Sequence, residues 1–138
     1  MTEIVTPLNH KLIGVAVIWN DRGEILIDRR YPGGVMGGLW EFPGGKIEVG
    51  ETVEACIIRE IREELDIEIK VGKPLINIDY NYSEFQVTLK VYECQHISGE
   101  PQPLESAEIR WVTLDEIDRF EFPAANTQII SALRQNRC

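Results

Sequence analysis

Residues 44–67 read GGKIEVGETVEACIIREIREELDI, and the rest of the chain is organised around them. A glycine-containing loop, 44–50, leads into a helical segment, 51–65, that carries five glutamates. Glu60, Glu63 and Glu64 stand at i, i+3 and i+4, so a helix sets them side by side on one strip. Like charges at that spacing cost roughly 0.2–0.5 kcal/mol per pair in an isolated helix. Only Arg59 and Arg62 offer relief, where a stretch shaped for helical stability alone would interleave lysines. A divalent cation over the strip accounts for the cost, because hard cations such as Mg²⁺ take carboxylate oxygens. Thr52 is a candidate N-cap, and Ala55, Ile57, Ile58, Ile61 and Leu65 supply most of an apolar side. At about 100° per residue the glutamate strip lies roughly a third of a turn away, so one edge is buried while the next faces a cleft.

Outward from this stretch the pattern is that of a mixed α/β domain. Residues 11–19, KLIGVAVIW, are nearly continuous apolar sequence rich in β-branched residues and read as a buried central strand. The turn signal NDRG at 20–23 and the apolar run 24–29 complete a hairpin, and the glycine-rich residues 31–39 form a loop. Residues 40–42 are a short piece with two aromatics before Pro43. Downstream, 73–82 and 85–95 read as strands, with Val87, Leu89 and Val91 alternating against Gln86, Thr88 and Lys90. Residues 96–106 form a loop, 109–113 a short strand and 114–120 a helical turn. Pro123 opens a final helix over 124–135, with Ile129, Ile130 and Leu133 inward. Trp19 and Trp111 are expected in the core, and His10 and His96 lie outside any ligand spacing.

The chain has 138 residues, 43% hydrophobic and 27% charged, which suits one domain spanning 1–138. No apolar run approaches a membrane span, and the first eleven residues lack a signal-peptide layout, so a cytoplasmic location is expected. Cys56, Cys94 and Cys138, without CxxC spacing, read as reduced thiols. A net charge of −9 argues against a nucleic-acid polymer as partner, since phosphate backbones need a basic face. A single nucleotide stays possible, because metal ions bridge an acidic site to phosphates. Nothing points to an obligate protein partner.

Counted from Gly45, the central stretch is G-x(5)-E-x(7)-R-E-I-R-E-E-L-D-I, which resembles the Nudix box G-x(5)-E-x(7)-R-E-U-x-E-E-x-G-U, U being a bulky aliphatic. Gly45, Glu51, Arg59, Glu60, Ile61, Glu63, Glu64 and Ile67 match; Asp66 stands where the family has glycine. That glycine often leaves the helix in a left-handed conformation, which Asp tolerates better than most residues. The resemblance implies a Nudix-like αβα sandwich with a mixed central sheet. It also implies that Glu60, Glu63 and Glu64 bind Mg²⁺, or Mn²⁺ in its place, and carry the catalysis. Glu60 would polarise the attacking water and Gly44 would offer a backbone carbonyl to metal. Glu51 and Arg59 would be structural partners, and Lys46 would lie near the phosphates unless it is a solvated loop lysine.

Residues 14–133 are similar to the MutT branch, which cleanses oxidised guanine nucleotides from the precursor pool. Four features carry this: Arg29-Arg30 closing the second strand, EFPGGK at 41–46, FPAAN at 122–126, and Glu105 before Trp111. By that resemblance Asn126 reads the base edge, an amide offering both donor and acceptor. Phe42 lines the base pocket, Arg30 contacts substrate and Glu105 is a further metal ligand. The bland readings stay open: Asn126 bonding its own backbone, Phe42 as core, Glu105 as a solvated loop residue, Arg30 as a surface strand end. The resemblance implies a pyrophosphohydrolase that releases a nucleoside monophosphate and pyrophosphate, with 8-oxo-dGTP favoured. Another nucleotide such as CTP or dCTP is the alternative, and a nucleotide-sensing module without catalysis is a third reading.

Overall fold

Strand β1 (His10–Trp19) holds the central place expected of it. In this computed structural model, which describes residues 10–136, it runs parallel to β6 (Gln86–Ser98) from His10↔Gln86 to Trp19↔Gln95. The other edge of β1 is divided between two partners. Residues 13–15 pair antiparallel with β4 (Gly44–Lys46), while Trp19 pairs with Ile25 of β2 (Ile25–Arg29). β3 (Trp40–Glu41) and β7 (Glu108–Val112) both flank β2, and β5 (Glu68–Asn81) lies antiparallel to β6. The sheet is therefore mixed and seven-stranded, with path β3-β2-β1-β6-β5.

Strand alternation divides the core between two helices, α1 (Val53–Leu65) and α2 (Ala124–Gln135). Val15, Val17, Ile25 and Ile27 cluster with Ile129 and Leu133 of α2. Ala16, Ile18 and Leu26 cluster with Ile57, Ile61 and Leu65 of α1. This is the αβα sandwich that the resemblance implies. Among the described residues, no helix is long and apolar enough to cross a membrane. Cys56 and Cys94 are free and buried, whereas Cys138 and residues 1–9 lie outside the described residues.

Several boundaries differ from expectation. Gly44–Lys46 is a strand rather than part of a loop, because its backbone pairs with β1 across the glycine at 14. β5 begins at Glu68, not at 73; register shifts between Val71 and Ile76 absorb Gly72 and Pro74, the breakers that seemed to mark its start. β6 likewise runs on to Ser98. On α1, Ala55 and Ile58 are exposed, Ile58 by 44%, and Cys56 is buried instead. The helix packs close over Gly14, where a Cβ would meet Ile57 at 3.2 Å and Cys56 Sγ at 3.3 Å, and that contact turns Cys56 inward. Trp19 and Trp111 are half-buried rather than core, and the Trp19 indole donates to Glu93 at 3.0 Å.

Candidate active site

Two cavities adjoin, and Arg30, Val35, Glu41 and Gly44 line both. The larger, about 340 Å³, is acidic. Glu60 and Glu64 enter it from α1, Asp28 from β2, Glu41 from β3 and Glu105 from the loop before β7. Alternation places the strand residues: Asp28 shares the α1 side with Leu26, and Glu41 is its Cα partner. The Glu105 loop is tied to the end of α1. Gln102 N–H donates to Leu65 O at 2.9 Å and Leu104 N–H to Glu64 O at 3.1 Å, which satisfies carbonyls the helix itself cannot.

Local sequence builds the helix wall. The Thr52 hydroxyl accepts from Ala55 N–H at 3.1 Å, starting α1, and Asp66 ends it in the left-handed region at φ 56°, ψ 41°. Arg59 grips Glu51 through two hydrogen bonds, 2.7 and 3.0 Å, and also donates to Glu60 at 2.9 Å, Glu63 at 3.2 Å and Lys46 O at 3.2 Å. These contacts hold the Glu51 carboxyl down at about pKa 2 and raise the Arg59 guanidinium still further above its usual range. Gly45 faces the Glu60 carboxyl so closely that a Cβ there would overlap it. Glu63, paired with Arg59, and Lys46, exposed on β4, stand outside the lining of both cavities.

Inside the cavity the carboxyls are pushed upward. Burial raises Glu64, and the hydrogen bond with Glu60 and the charges of Asp28, Glu60 and Glu41 add to it. Burial likewise raises Asp28, followed by the charge of Glu41. Asp28 is 4% exposed, and its Oδ1 has no hydrogen-bond partner among the described residues. Arg30 donates to Glu41 at 3.1 Å and to Val35 O at 3.1 Å. Among the described residues no three acidic, histidine or cysteine side chains stand in a finished metal shell, since Arg59 holds Glu60 and Glu63 while Arg30 holds Glu41. The donor set still fits a hard divalent cation. It consists of oxygens, includes an orphaned buried acceptor, and crowds negative charge that a cation relieves.

The second cavity, about 230 Å³, is walled by apolar side chains of β1 and β6 and by Phe42, Tyr82 and Asn126. Phe42 is both core and lining: it is 3% exposed and stacks on Phe122 at 5.5 Å between centroids. Asn126 Oδ1 accepts from Phe42 N–H at 3.3 Å, which turns the amide's N–H donors to other partners. The Tyr82 hydroxyl accepts from Ala125 N–H at 3.0 Å, capping a helix whose N-cap, Pro123, has no side-chain bond to give. Sequence reasoning assigned no role to Asp28, Glu41 or Tyr82. Asp28 gives only a weak signal, a carboxylate that follows the apolar run ILI and is itself followed by Arg29.

Carboxylates around a cavity suited to hard cations, opening onto an apolar pocket edged by an amide, equip a protein to handle a phosphate chain joined to a flat base. Comparison with known proteins narrows that class. A NUDIX domain family model matches residues 14–132, and the chain belongs to the Nudix family of hydrolases. It is 34% identical over 123 residues to an 8-oxo-dGTP diphosphatase of Escherichia coli (strain K12), covering 89% of this chain and 95% of that one. It is 30% identical over 118 residues to a CTP pyrophosphohydrolase of the same organism, covering 86% and 87%. The fold matches the crystal structure of a MutT protein from Methanosarcina mazei Go1 with a TM-score of 0.84 at 26% identity, over 94% of this chain and 97% of that chain.

Proposed function

We propose that this chain hydrolyses a nucleoside triphosphate to a monophosphate and pyrophosphate with Mg²⁺, or Mn²⁺ in its place, and that 8-oxo-dGTP is its favoured substrate. The observation that carries the reading is the junction of the two cavities at Arg30, Glu41 and Gly44. A base seated against Phe42 and Asn126 sends its phosphates past Arg30 toward the carboxylates. Bound metal lowers the pKa of water and neutralises charge on the pyrophosphate bridge. Glu60, Glu63, Glu64 and Glu105, with the Gly44 carbonyl, are the groups assigned to hold it. Glu60 is also placed to polarise the attacking water, and Arg59 keeps Glu60 oriented. Glu63 and Lys46 reach their assigned partners by side-chain rotation, both being on the exposed rim.

One observation supports a second reading. With Oδ1 engaged by Phe42, Asn126 offers donors, and these suit the acceptor edge of cytosine as well as guanine O6. The 30% identity to a CTP pyrophosphohydrolase points the same way. The test offers purified protein and Mg²⁺ to 8-oxo-dGTP, dGTP, dCTP and CTP in parallel, with pyrophosphate release measured. Fastest release from 8-oxo-dGTP is expected. Release from the cytidine nucleotides alone moves the assignment to them, and none from any substrate overturns the triphosphatase reading.

A further inference from the structure

One residue of the loop between β2 and β3 departs from its neighbours twice. Among residues 31–37 only Met36 is half-buried, the other six being exposed, and it is the loop's one residue with a side chain at positive φ, 60°. Gly33, Gly34 and Gly38 take positive φ freely, but a Cβ makes the same conformation costly. Backbone bonds hold Met36 there against that cost. Arg30 N–H donates to Leu39 O at 2.9 Å and Gly38 N–H to Arg30 O at 3.2 Å, closing the loop at its base. Leu39 N–H donates to Met36 O at 3.2 Å. The guanidiniums of Arg29 and Arg30 add bonds to Gly38 O at 2.9 Å and Val35 O at 3.1 Å. Strain held in place by its surroundings clusters at sites that grip a ligand.

Met36 lines the apolar cavity. The sheet supplies Ile13, Val15, Val87 and Leu89 to that cavity from β1 and β6, whereas Met36 reaches it from a separate element, the loop. A flat base laid against the sheet leaves its other face in water, and apolar cover on that face adds to its binding. We propose that Met36 is a substrate-contact residue whose side chain covers the face of the base turned away from the sheet. The inference rests on the reading above only in seating a base in this cavity. Methionine suits the task because its thioether is flexible, polarisable and attracted to aromatic rings, so one residue serves a purine or a pyrimidine. The part of Met36 still exposed in the unliganded protein is the part a base would cover. Glycine, the residue this backbone prefers, has no side chain to offer.

The experiment compares wild type, Met36→Gly and Met36→Leu with Mg²⁺ on whichever of 8-oxo-dGTP, dGTP, dCTP and CTP the wild type cleaves fastest. Inhibition by inorganic tripolyphosphate, which has no base, is measured beside it. Met36→Gly is expected to raise KM about tenfold with kcat unchanged, the loss of most of one apolar side chain's contact. Its inhibition by tripolyphosphate is expected to match the wild type. Met36→Leu keeps an apolar side chain of similar volume, so its KM is expected to stay within about twofold of wild type. Thermal unfolding without ligand is the readout that a packing role would move the other way. Met36→Gly relieves the backbone, so its Tm is expected to equal or exceed that of wild type. An unchanged KM in Met36→Gly overturns the proposal. So does an equal weakening of tripolyphosphate, which would trace the effect to Arg30 and the phosphates. A lower Tm in Met36→Gly would make Met36 a residue of the fold and overturns it as well. A wild type that cleaves none of the four nucleotides overturns the triphosphatase reading and this inference with it, whereas an unchanged KM on a cleaved substrate overturns this inference alone.

Discussion

At Gly45 a single methyl group would fall on the Glu60 carboxyl, so the glycine is set by the side chain it faces. The carboxyl ends a flexible side chain and can move aside, so Gly45→Ala is expected to change stability by no more than about 0.5 kcal/mol. It would displace Glu60, and misplacement of order 1 Å costs about 10²-fold in rate. Steady-state kinetics beside a thermal unfolding curve separates the two effects; normal turnover would remove the steric argument. Asn126 works by the opposite means, an added contact. Its Oδ1 is anchored to Phe42 N–H, so its remaining donors are aimed. Asn126→Ala is expected to lower the ratio of kcat/KM for 8-oxo-dGTP over dATP, whose base carries a donor where guanine has O6, by about tenfold, the worth of one hydrogen bond of about 1.4 kcal/mol. An unchanged ratio would take base reading away from this residue. Both positions lie in motifs that were legible in the sequence. Asp28 does not: no local pattern says that a strand carboxylate will face a helix 32 and 36 positions along the chain at Glu60 and Glu64.

Among the elements, α1 followed its local code closely. Thr52 caps it, Glu60 and Glu64 share a cavity, and Asp66 exits through the left-handed region where the family has glycine. A non-glycine residue there carries strain, so Asp66→Gly is expected to raise unfolding free energy by up to about 1 kcal/mol, measured by urea denaturation. A loss of stability would mean that the Asp side chain contributes more than its backbone costs. The strands were read less well, and for one reason. Gly44, Gly72 and Pro74 carry local breaker signals, yet backbone pairing with β1 and β6 holds all three in strands. Pairing across distant segments overrode local preference, as it does in sheets generally.

For the whole molecule, the acidic cavity couples stability to pH and metal. The unfolded chain releases the protons of Asp28 and Glu64 near their ordinary values of 3.8 and 4.5, whereas burial keeps them bound to higher pH in the folded chain. Above those ordinary values the folded state binds more protons, so its stability falls as pH rises toward the raised folded values. Glu51 acts in the other direction, its stabilisation being present above 4.5 and lost as pH falls toward about 2. The metal-free Tm is therefore expected to decline from about pH 5 to about pH 9, and Mg²⁺ to flatten the decline by replacing protons with a cation. A metal-free Tm that stays level over that range would contradict the burial argument. The cavity exists at this scale because β1 divides one edge between β4 and β2, which brings the α1 glutamates, the Asp28–Glu41 pair and Gly44 to one place.

The sequence by itself determined the helix with its glutamate strip and caps, the central strand, and the α/β class, because each rests on spacing within one turn or one pleat. It also carried the family resemblance, since the box is contiguous. Tertiary structure alone decided which strand faces turn toward α1, and so brought Asp28 and Glu41 into the acidic cavity. It alone joined that cavity to the pocket of Phe42 and Asn126, and set Tyr82 on the start of α2. These contacts span tens of residues along the chain, and no local periodicity records which distant segments the packing of two helices on one sheet will bring together.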